Sequence, residues 1–183
     1  QDEEAECELR NLAAVPYQII SPANNKSIVG IFQDSLLGIY RLTRQDIKFS
    51  NKTAMNLLMY LKTVDIKSIN LTNPEISNFD ILSQIMPNMS LKYKTKRFQS
   101  EEDYNSSNNV LEINNGKYVR GQIEKGVLGD GNKGLIQRIY NDYDNFRCSK
   151  FIDDLQNIVT EYMKISGFSV GISDLIADAE TNS

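Results

Sequence analysis

The stretch SPANNKSIVGIFQDSLLGIYRLT, residues 21–43, decides how the first part of the chain folds. An apolar run at 28–32 stops at a polar pair, Gln33 and Asp34, and a helical apolar spacing then starts at once and continues to Leu42. This order is typical of a buried extended segment that leads directly into a helix. We therefore expect the Asp34 carboxylate to cap the helix by accepting hydrogen bonds from its first free amide groups. Gln33 has no such role, so its amide is either bonded inside the fold or directed into a cavity.

Helical apolar spacing recurs on both sides of this stretch. It predicts helices over 4–14, 50–60, 77–85, 135–143 and 144–167. Ser50, Ser77 and Asp144 are the expected N-caps, and Gly167 is expected to end the last helix. The apolar face of the helix after Ser50 is predicted to include Met55, Leu58, Met59 and Tyr60.

From residue 90 the apolar period changes to two, which predicts strands rather than helices. The strand candidates are LKYKTKRF (91–98), VLEI (110–113) and KYVRGQIEKGVL (117–128). The pair Asn115-Gly116 tolerates positive φ and predicts a hairpin turn between the last two, whereas the polar stretch 99–109 is expected to be a mobile loop. Because helices and strands are segregated along the chain, the predicted class is α+β, with mixed helices and small antiparallel sheets.

Composition excludes several classes of function. The chain has 183 residues, a formal net charge of −4, two cysteines and no histidine. Without histidine the Ser-His-Asp and Cys-His catalytic systems are excluded, and with two cysteines the usual zinc sites are excluded as well. The net charge gives no general basic footprint for nucleic acid, and no apolar run is long enough to cross a bilayer. Cys7 and Cys148 are expected to be unpaired thiols in a reducing compartment.

Three short motifs suggest a site, and each has a simpler structural interpretation. GDGNKG (129–134) imitates a dinucleotide or calcium loop, but it lacks the βαβ context and the final glutamate, so a tight glycine turn is preferred. Asp142 and Asp144 have a spacing that could hold magnesium, yet Asp144 is better explained as a helix cap. The basic run KYKTKR (92–97) could meet phosphates, although a solvated strand face is the preferred interpretation.

Two long motifs, one towards each end of the chain, resemble a known family. SPxxxKxxxGIxQDxLLG, within QIISPANNKSIVGIFQDSLLGIYRLTRQD (18–46), is similar to the segment after the active-site loop in the largest subunit of multisubunit DNA-directed RNA polymerases. GFSxGIxDxIAD, within FIDDLQNIVTEYMKISGFSVGISDLIADAET (151–181), resembles the end of the same region and the opening of the next. The centre, roughly 63–115, carries no recognisable motif of that family.

The resemblance implies a pore domain, which lines the secondary channel that admits nucleoside triphosphates and receives the RNA 3′ end on backtracking. It divides the chain into the C-terminal helix of the active-site domain (1–15), the pore domain (16–165) and the start of the funnel domain (166–183). The family's catalytic Mg²⁺ is held by a NADFDGD loop expected before Gln1, so we expect neither a catalytic residue nor a metal site in this chain. The implied partners are the other polymerase subunits, especially the second-largest, with template DNA, nascent RNA and nucleoside triphosphates.

The resemblance also assigns site residues. It places Gln33 and Asp34 at the inner end of the pore, where Asp34 holds the helix start and the Gln33 amide points towards substrate or the RNA 3′ end. The other expected channel residues are Ser21, Asn24, Asn25 and Lys26, and the lysine supplies a charge that suits phosphates. The family often has proline where this chain has Ser27, which implies a less rigid loop.

Two alternative functions stay open on the sequence. One is a stand-alone interaction module that keeps a polymerase-derived fold without catalysis, and the other is a small-molecule enzyme that uses the glycine loop. The Asn-, Ile- and Lys-rich sequence indicates an AT-rich genome and fits a large cytoplasmic DNA virus. The expected location is the nucleus, or the cytoplasm or virion, and not the cell exterior.

Overall fold

The structure of the chain, a computed structural model, describes residues 2–70, 72–128 and 134–176. Its helices are α1 (Glu3–Glu8), α2 (Gln33–Leu42), α3 (Asn51–Leu58), α4 (Asn78–Ser83), α5 (Lys125–Leu128), α6 (Leu135–Asp142) and α7 (Asn145–Ser166). Its strands are β1 (Ile20–Ser21), β2 (Lys26–Ser27), β3 (Lys48–Ser50), β4 (Glu75–Ser77), β5 (Leu91–Lys94), β6 (Val110–Asn114) and β7 (Lys117–Arg120). Short 3₁₀ or π-helical turns lie at Leu9–Ala13, Val15–Gln18, Ile66–Ser68 and Ile172–Leu175. The predicted α+β class is confirmed.

The strands form small antiparallel sheets. Strand β1 pairs with β2, β3 pairs with β4, and β5, β6 and β7 form a meander in that order. Asn115 and Gly116 have φ of 47° and 78° in the β6–β7 turn, so the predicted hairpin is confirmed. A bulge between Glu112 and Ile113 shifts the register against β7, and such bulges increase the local twist of a sheet.

Helix α7 is the centre of the core. Asp144 caps it by accepting from the Arg147 amide at 2.6 Å, and Gly167 ends it with φ of 59°, both as predicted. The buried apolar side chains of α7 are Phe151, Leu155, Ile158, Val159 and Tyr162. They pack against α2, α3 and α6. Helix α2 approaches α7 so closely at Gly38 that a Cβ there would lie 2.5 Å from Val159 Cγ1.

The segment 28–32 is not the continuous buried strand that its apolar composition predicts. Ile31 is buried, but Ile28 and Phe32 are 53% and 43% exposed. The β1–β2 ladder closes where the Ile28 amide donates to Ile19 O at 2.9 Å. Beyond that bond the chain runs as an irregular connection, so side chains no longer alternate between one buried and one solvated face.

Helix α3 is capped as predicted but buries a different face. The Ser50 hydroxyl accepts from the Thr53 amide, while the buried residues are Ala54, Leu57 and Leu58. Three of the four residues predicted for this face are exposed: Met55, Met59 and Tyr60. The prediction is wrong for these three because α3 ends at Leu58, which places Met59 and Tyr60 beyond the helix, and because Met55 lies on the exposed face of the helix.

The two thiols differ in their environment. Cys7 is exposed, whereas Cys148 is fully buried under α6 and its Sγ lies 3.4 Å from Ile136 O. Burial raises the pKa of the Cys148 thiol to about 11, and a nearby carboxylate at Asp144 adds to the effect. Both features suppress the reactive thiolate.

Iodoacetamide treatment of the native chain at mildly alkaline pH is therefore expected to modify Cys7 alone. In denaturant both thiols should react, because Cys148 loses its buried surroundings. Peptide mass spectrometry of the two digests checks the result. Modification of Cys148 as fast as Cys7 in the native chain would contradict the buried position of this thiol.

Candidate functional site

The loop that the sequence assigns to the channel is a tight hairpin. Strands β1 and β2 pair Ser21 with Lys26 and enclose a four-residue turn. Asn24 and Asn25 are exposed in this turn, Lys26 is half-buried, and Asn25 has φ of 46°. Asparagine is among the few residues that tolerate this left-handed region at low cost, so the sequence suits the bend that presents both amides to solvent.

Ser27, where the sequence led us to expect a less rigid loop, lies inside the hairpin. Its side chain is fully buried, and its hydroxyl donates to the Val29 carbonyl. Serine also keeps the backbone amide that proline lacks, in a strand that is hydrogen-bonded to Ile20. The loop thus has an internal support that the sequence comparison with proline does not anticipate.

Helix α6 anchors the hairpin through a residue that sequence reasoning missed. Gln137 is 7% exposed, and its Nε2 donates to the Asn25 carbonyl at 3.3 Å. The sequence does contain a signal for this residue, because Gln137 interrupts the apolar face that Leu135, Ile136 and Ile139 form. A buried amide at such a position is retained when it has a polar partner.

The start of α2 differs from the sequence prediction. The helix begins at Gln33, Phe32 is its N-cap residue, and no side chain caps it. Asp34 lies in the first turn and makes no capping hydrogen bond, so the predicted capping role is wrong. The reason is that the helix starts two residues earlier than expected, with Phe32 and not Asp34 as its N-cap, which places Asp34 inside the helix. Its negative charge there still suits the helix dipole.

Gln33 has an unusual backbone for its residue type. Its φ is 50° and its side chain is exposed. A non-glycine residue in this region costs roughly 1–2 kcal/mol, and such residues are concentrated at functional sites. Nothing in the sequence around Gln33 predicts the positive φ, because glycine or asparagine is expected at such a position.

The hairpin and the start of α2 lie at opposite ends of the segment 28–32, which is held on α5. The Ile31 amide donates to Leu128 O at 3.2 Å, and a Cβ at Gly30 would approach the same oxygen to 3.0 Å. The close approach leaves no room for a side chain at this point. Helices α5 and α6 therefore support both groups of predicted channel residues.

The metal-like motifs of the sequence have structural roles where they are described. Residues 129–133 of the glycine motif lie outside the described residues, and Gly134 is the N-cap of α6. Asp142 ends α6 and lies 3.9 Å from Arg138, and Asp144 is a helix cap. Within 2–70, 72–128 and 134–176, no group of three or more His, Cys, Asp or Glu side chains is placed to hold a metal ion.

Lysine side chains of the basic run 92–97 contact the loop that follows it. The Lys92 ammonium lies 4.9 Å from the Tyr104 ring centroid and 3.2 Å from Asn105 Oδ1, and the Lys94 ammonium lies 4.3 Å from the Phe98 ring. The loop is closed further by Glu102, whose carboxylate accepts from the side chains of Ser107 and Asn109; these bonds lower its pKa. The alternation of exposed lysines and inward Tyr93 is as predicted.

No helix in the described ranges is long and apolar enough to span a bilayer.

Residues 18–175 match the sequence model of the family described as RNA polymerase Rpb1, domain 3. The chain belongs to this family. The resemblance to the largest polymerase subunit is thereby confirmed.

Two curated relatives extend the family match. They are the DNA-directed RNA polymerase II subunits RPB1-A and RPB1-B of Trypanosoma brucei brucei, each 29% identical to this chain over 176 residues. The aligned part covers 95% of this chain and 10% of each relative. The chain thus spans about a tenth of the length of the relatives it matches.

Proposed function

We propose that the chain forms the wall of the secondary channel in the largest subunit of a DNA-directed RNA polymerase. In this role it guides nucleoside triphosphates to the active centre and receives backtracked RNA. Membership of the Rpb1 domain 3 family supports the proposal, and it is favoured over a stand-alone module because both relatives are polymerase subunits.

The observation that carries the proposal is the conformation of Gln33. Its positive φ costs folding free energy, yet it directs an uncharged amide into solvent at the first position of a helix. An amide there can both donate to and accept from a nucleotide or an RNA end. The exposed amides of Asn24 and Asn25, with the charge of Lys26, add contacts of the kind that ribose and phosphate groups accept.

The ends of the chain fit contacts with neighbouring domains. Leu9, Leu12 and Val15 are 62–64% exposed in the part assigned to the active-site domain (1–15). The exposed apolar residues of the part assigned to the funnel domain (166–183) include Phe168, Val170, Ile172, Leu175 and Ile176. Contiguous exposed apolar side chains usually mark an interface, which supports the division into these parts and a pore domain at 16–165.

The proposed role leaves the chemistry to other parts of the enzyme. The catalytic Mg²⁺ is held outside these residues, and this chain supplies positioning and channel electrostatics rather than a nucleophile. Its partners are the other subunits, the second-largest above all, and through the whole complex template DNA, nascent RNA and nucleoside triphosphates. The proposed location is the nucleus, or the cytoplasm or virion if the enzyme belongs to a large DNA virus.

Replacing Gln33 by alanine in the intact enzyme tests the proposal. Gln33→Ala removes the amide but keeps the backbone cost, so the stability of the fold should change little. We expect elongation, cleavage of backtracked RNA, or both, to slow by roughly two- to tenfold, the effect of losing one hydrogen bond of about 0.5–1.5 kcal/mol. Single-nucleotide addition and transcript cleavage assays measure the two rates.

Two further variants test whether the effect on the rates comes from the side-chain amide of Gln33 and not from its backbone conformation. Gln33→Asn keeps an amide and tolerates positive φ, so it should restore part of the lost rate. Gln99→Ala removes an exposed glutamine amide from the loop after β5 and should leave both rates unchanged. Rates of Gln33→Ala equal to wild type in both assays would remove Gln33 from the channel site.

A further inference from the structure

The turn between β6 and β7 contains the pair Asn115-Gly116, in which the asparagine can deamidate because glycine has no side chain to hinder the attack. In this reaction the Gly116 nitrogen loses its proton and bonds to Asn115 Cγ, the Cγ–Nδ2 bond breaks, and ammonia leaves. Water then opens the cyclic imide to aspartate or to isoaspartate, whose main chain is longer by a methylene. Asn115 is exposed, so access of water does not limit the reaction.

The conformation of the turn keeps the two reacting atoms apart. Asn115 and Gly116 have φ of 47° and 78° and join the paired residues Asn114 and Lys117, which is the type I′ arrangement. The first central residue of such a turn has ψ of about +30°, so the Gly116 nitrogen lies nearly anti to Asn115 Cβ. Ring closure needs this nitrogen on the same side as Cβ. The turn must therefore open before the reaction can start.

Hydrogen bonds to the segment 87–90 hold the turn closed. The Gly116 amide donates to Met89 O at 2.9 Å, which engages the proton that the reaction must remove. The Asn115 amide donates to Ser90 Oγ at 3.0 Å, and the Ser90 hydroxyl donates to Asn115 Oδ1 at 3.2 Å. A single hydroxyl thus fixes both the backbone and the side chain of the residue that would react.

The segment that receives the turn is itself anchored. Pro87 is buried, Met89 is 6% exposed in the core, and the Tyr143 hydroxyl donates to Asn88 O. The turn lies directly on this segment, since a Cβ at Gly116 would be 3.1 Å from Pro87 O. Opening therefore separates the turn from a firm support and breaks its three hydrogen bonds to it.

We propose that Asn115 is a latent deamidation site, which the docked turn keeps closed and the Ser90 hydroxyl controls. The reaction proceeds only from the open turn. Isoaspartate lengthens the main chain within a two-residue turn, so the modified turn no longer matches its hydrogen bond to Met89, and the change is a permanent record of opening. The site is independent of the channel role of Gln33.

Incubation of the 183-residue chain at physiological temperature and mildly alkaline pH, with and without urea, tests the proposal. Peptide mass spectrometry measures the mass increase of deamidation, and fragmentation distinguishes Asn115 from Asn114. We expect the unfolded chain to deamidate at Asn115 roughly tenfold faster or more than the native chain, the effect of losing three hydrogen bonds. Equal rates in the native and the unfolded chain would overturn the closed site.

Ser90→Ala is the matched variant. It removes two of the three bonds at an exposed position, so the fold should persist. Native Ser90→Ala should deamidate at Asn115 roughly fivefold to tenfold faster than wild type, and hydrogen exchange of the Gly116 amide should accelerate with it. In urea the two chains should react equally. Ser100→Ala, at an exposed serine in the loop after β5, should match wild type in every measurement.

Two results would overturn control by Ser90. One is a native Ser90→Ala rate equal to wild type. The other is an equal acceleration of Ser90→Ala in urea, which would show a change in the chemistry of the peptide and not in the opening of the turn.

Discussion

Gly121→Ala is expected to destabilise the chain by about 4 kcal/mol, the sum of one overpacked contact and one strained backbone. Gly121 follows β7 with φ of 112°, a region that side-chain-bearing residues rarely adopt. A Cβ there would lie 2.4 Å from Leu111 Cα and 2.7 Å from Val110 O. Both atoms belong to the backbone of the central strand β6, so relief of the contact requires the sheet itself to move.

Gly167→Ala separates the two causes. Gly167 also has positive φ, at 59°, but a Cβ at this position has no neighbour within 4 Å. This variant should cost only about 1–2 kcal/mol, the backbone penalty of the left-handed region. Urea unfolding of both variants and wild type measures the difference, and equal losses for the two glycines would show that the contact with β6 adds nothing.

Gly121 also illustrates what the sequence could predict about this fold. The hairpin turn at Asn115-Gly116 and the caps at Ser50, Ser77 and Asp144 were predicted correctly, because each depends on a few neighbouring residues. The lack of space for a side chain at Gly121 depends on the close approach of Val110 and Leu111 in β6. A contact between separate strands leaves no pattern in the neighbouring sequence. From sequence alone, Gly121 therefore suggests only an interruption of a strand.

The candidate site follows the same division. The motif around Gln33 and the hairpin residues Asn24 and Asn25 could be proposed from sequence because they are contiguous. The positive φ of Gln33 and the support of Asn25 by Gln137 were not found, since the second joins residues 112 positions apart. The cap at Asp34 was predicted wrongly because the helix boundary depends on the turn at Gln33, and helix boundaries shift easily by one or two residues.

Asn78→Ala is the second variant with a large expected effect, a loss of about 3 kcal/mol. Asn78 is fully buried at the start of α4, and its Nδ2 donates to the carbonyls of Leu42 at 2.5 Å and Arg44 at 2.7 Å. The Leu42 carbonyl ends α2 and the Arg44 carbonyl lies in the connection after it, so neither has a further turn of helix to bond it. Without the amide, both lie buried or half-buried without a donor, at about 1–3 kcal/mol for each unsatisfied group.

Asn78→Asp distinguishes this bonding role from simple loss of volume. The introduced carboxyl is nearly the same size, but as a carboxylate it cannot donate and faces two carbonyl oxygens, so above neutral pH it should destabilise more than alanine. These oxygens favour the protonated form and raise the folded-state pKa of the carboxyl above its unfolded value of about 3.9. Stability relative to wild type should therefore recover as pH falls through the folded pKa towards the unfolded one.

Urea unfolding across this pH range checks the argument, with Asn73→Ala as the control. Asn73 is an exposed asparagine in the connection before β4, and its replacement should change stability by less than about 0.5 kcal/mol at every pH. Stability of Asn78→Asp equal to wild type at every pH, beside a clear loss in Asn78→Ala, would mean that side-chain volume alone matters at this position. Recovery at low pH in the aspartate variant and not in the alanine variant would establish that donation to Leu42 and Arg44 holds the end of α2 against α4.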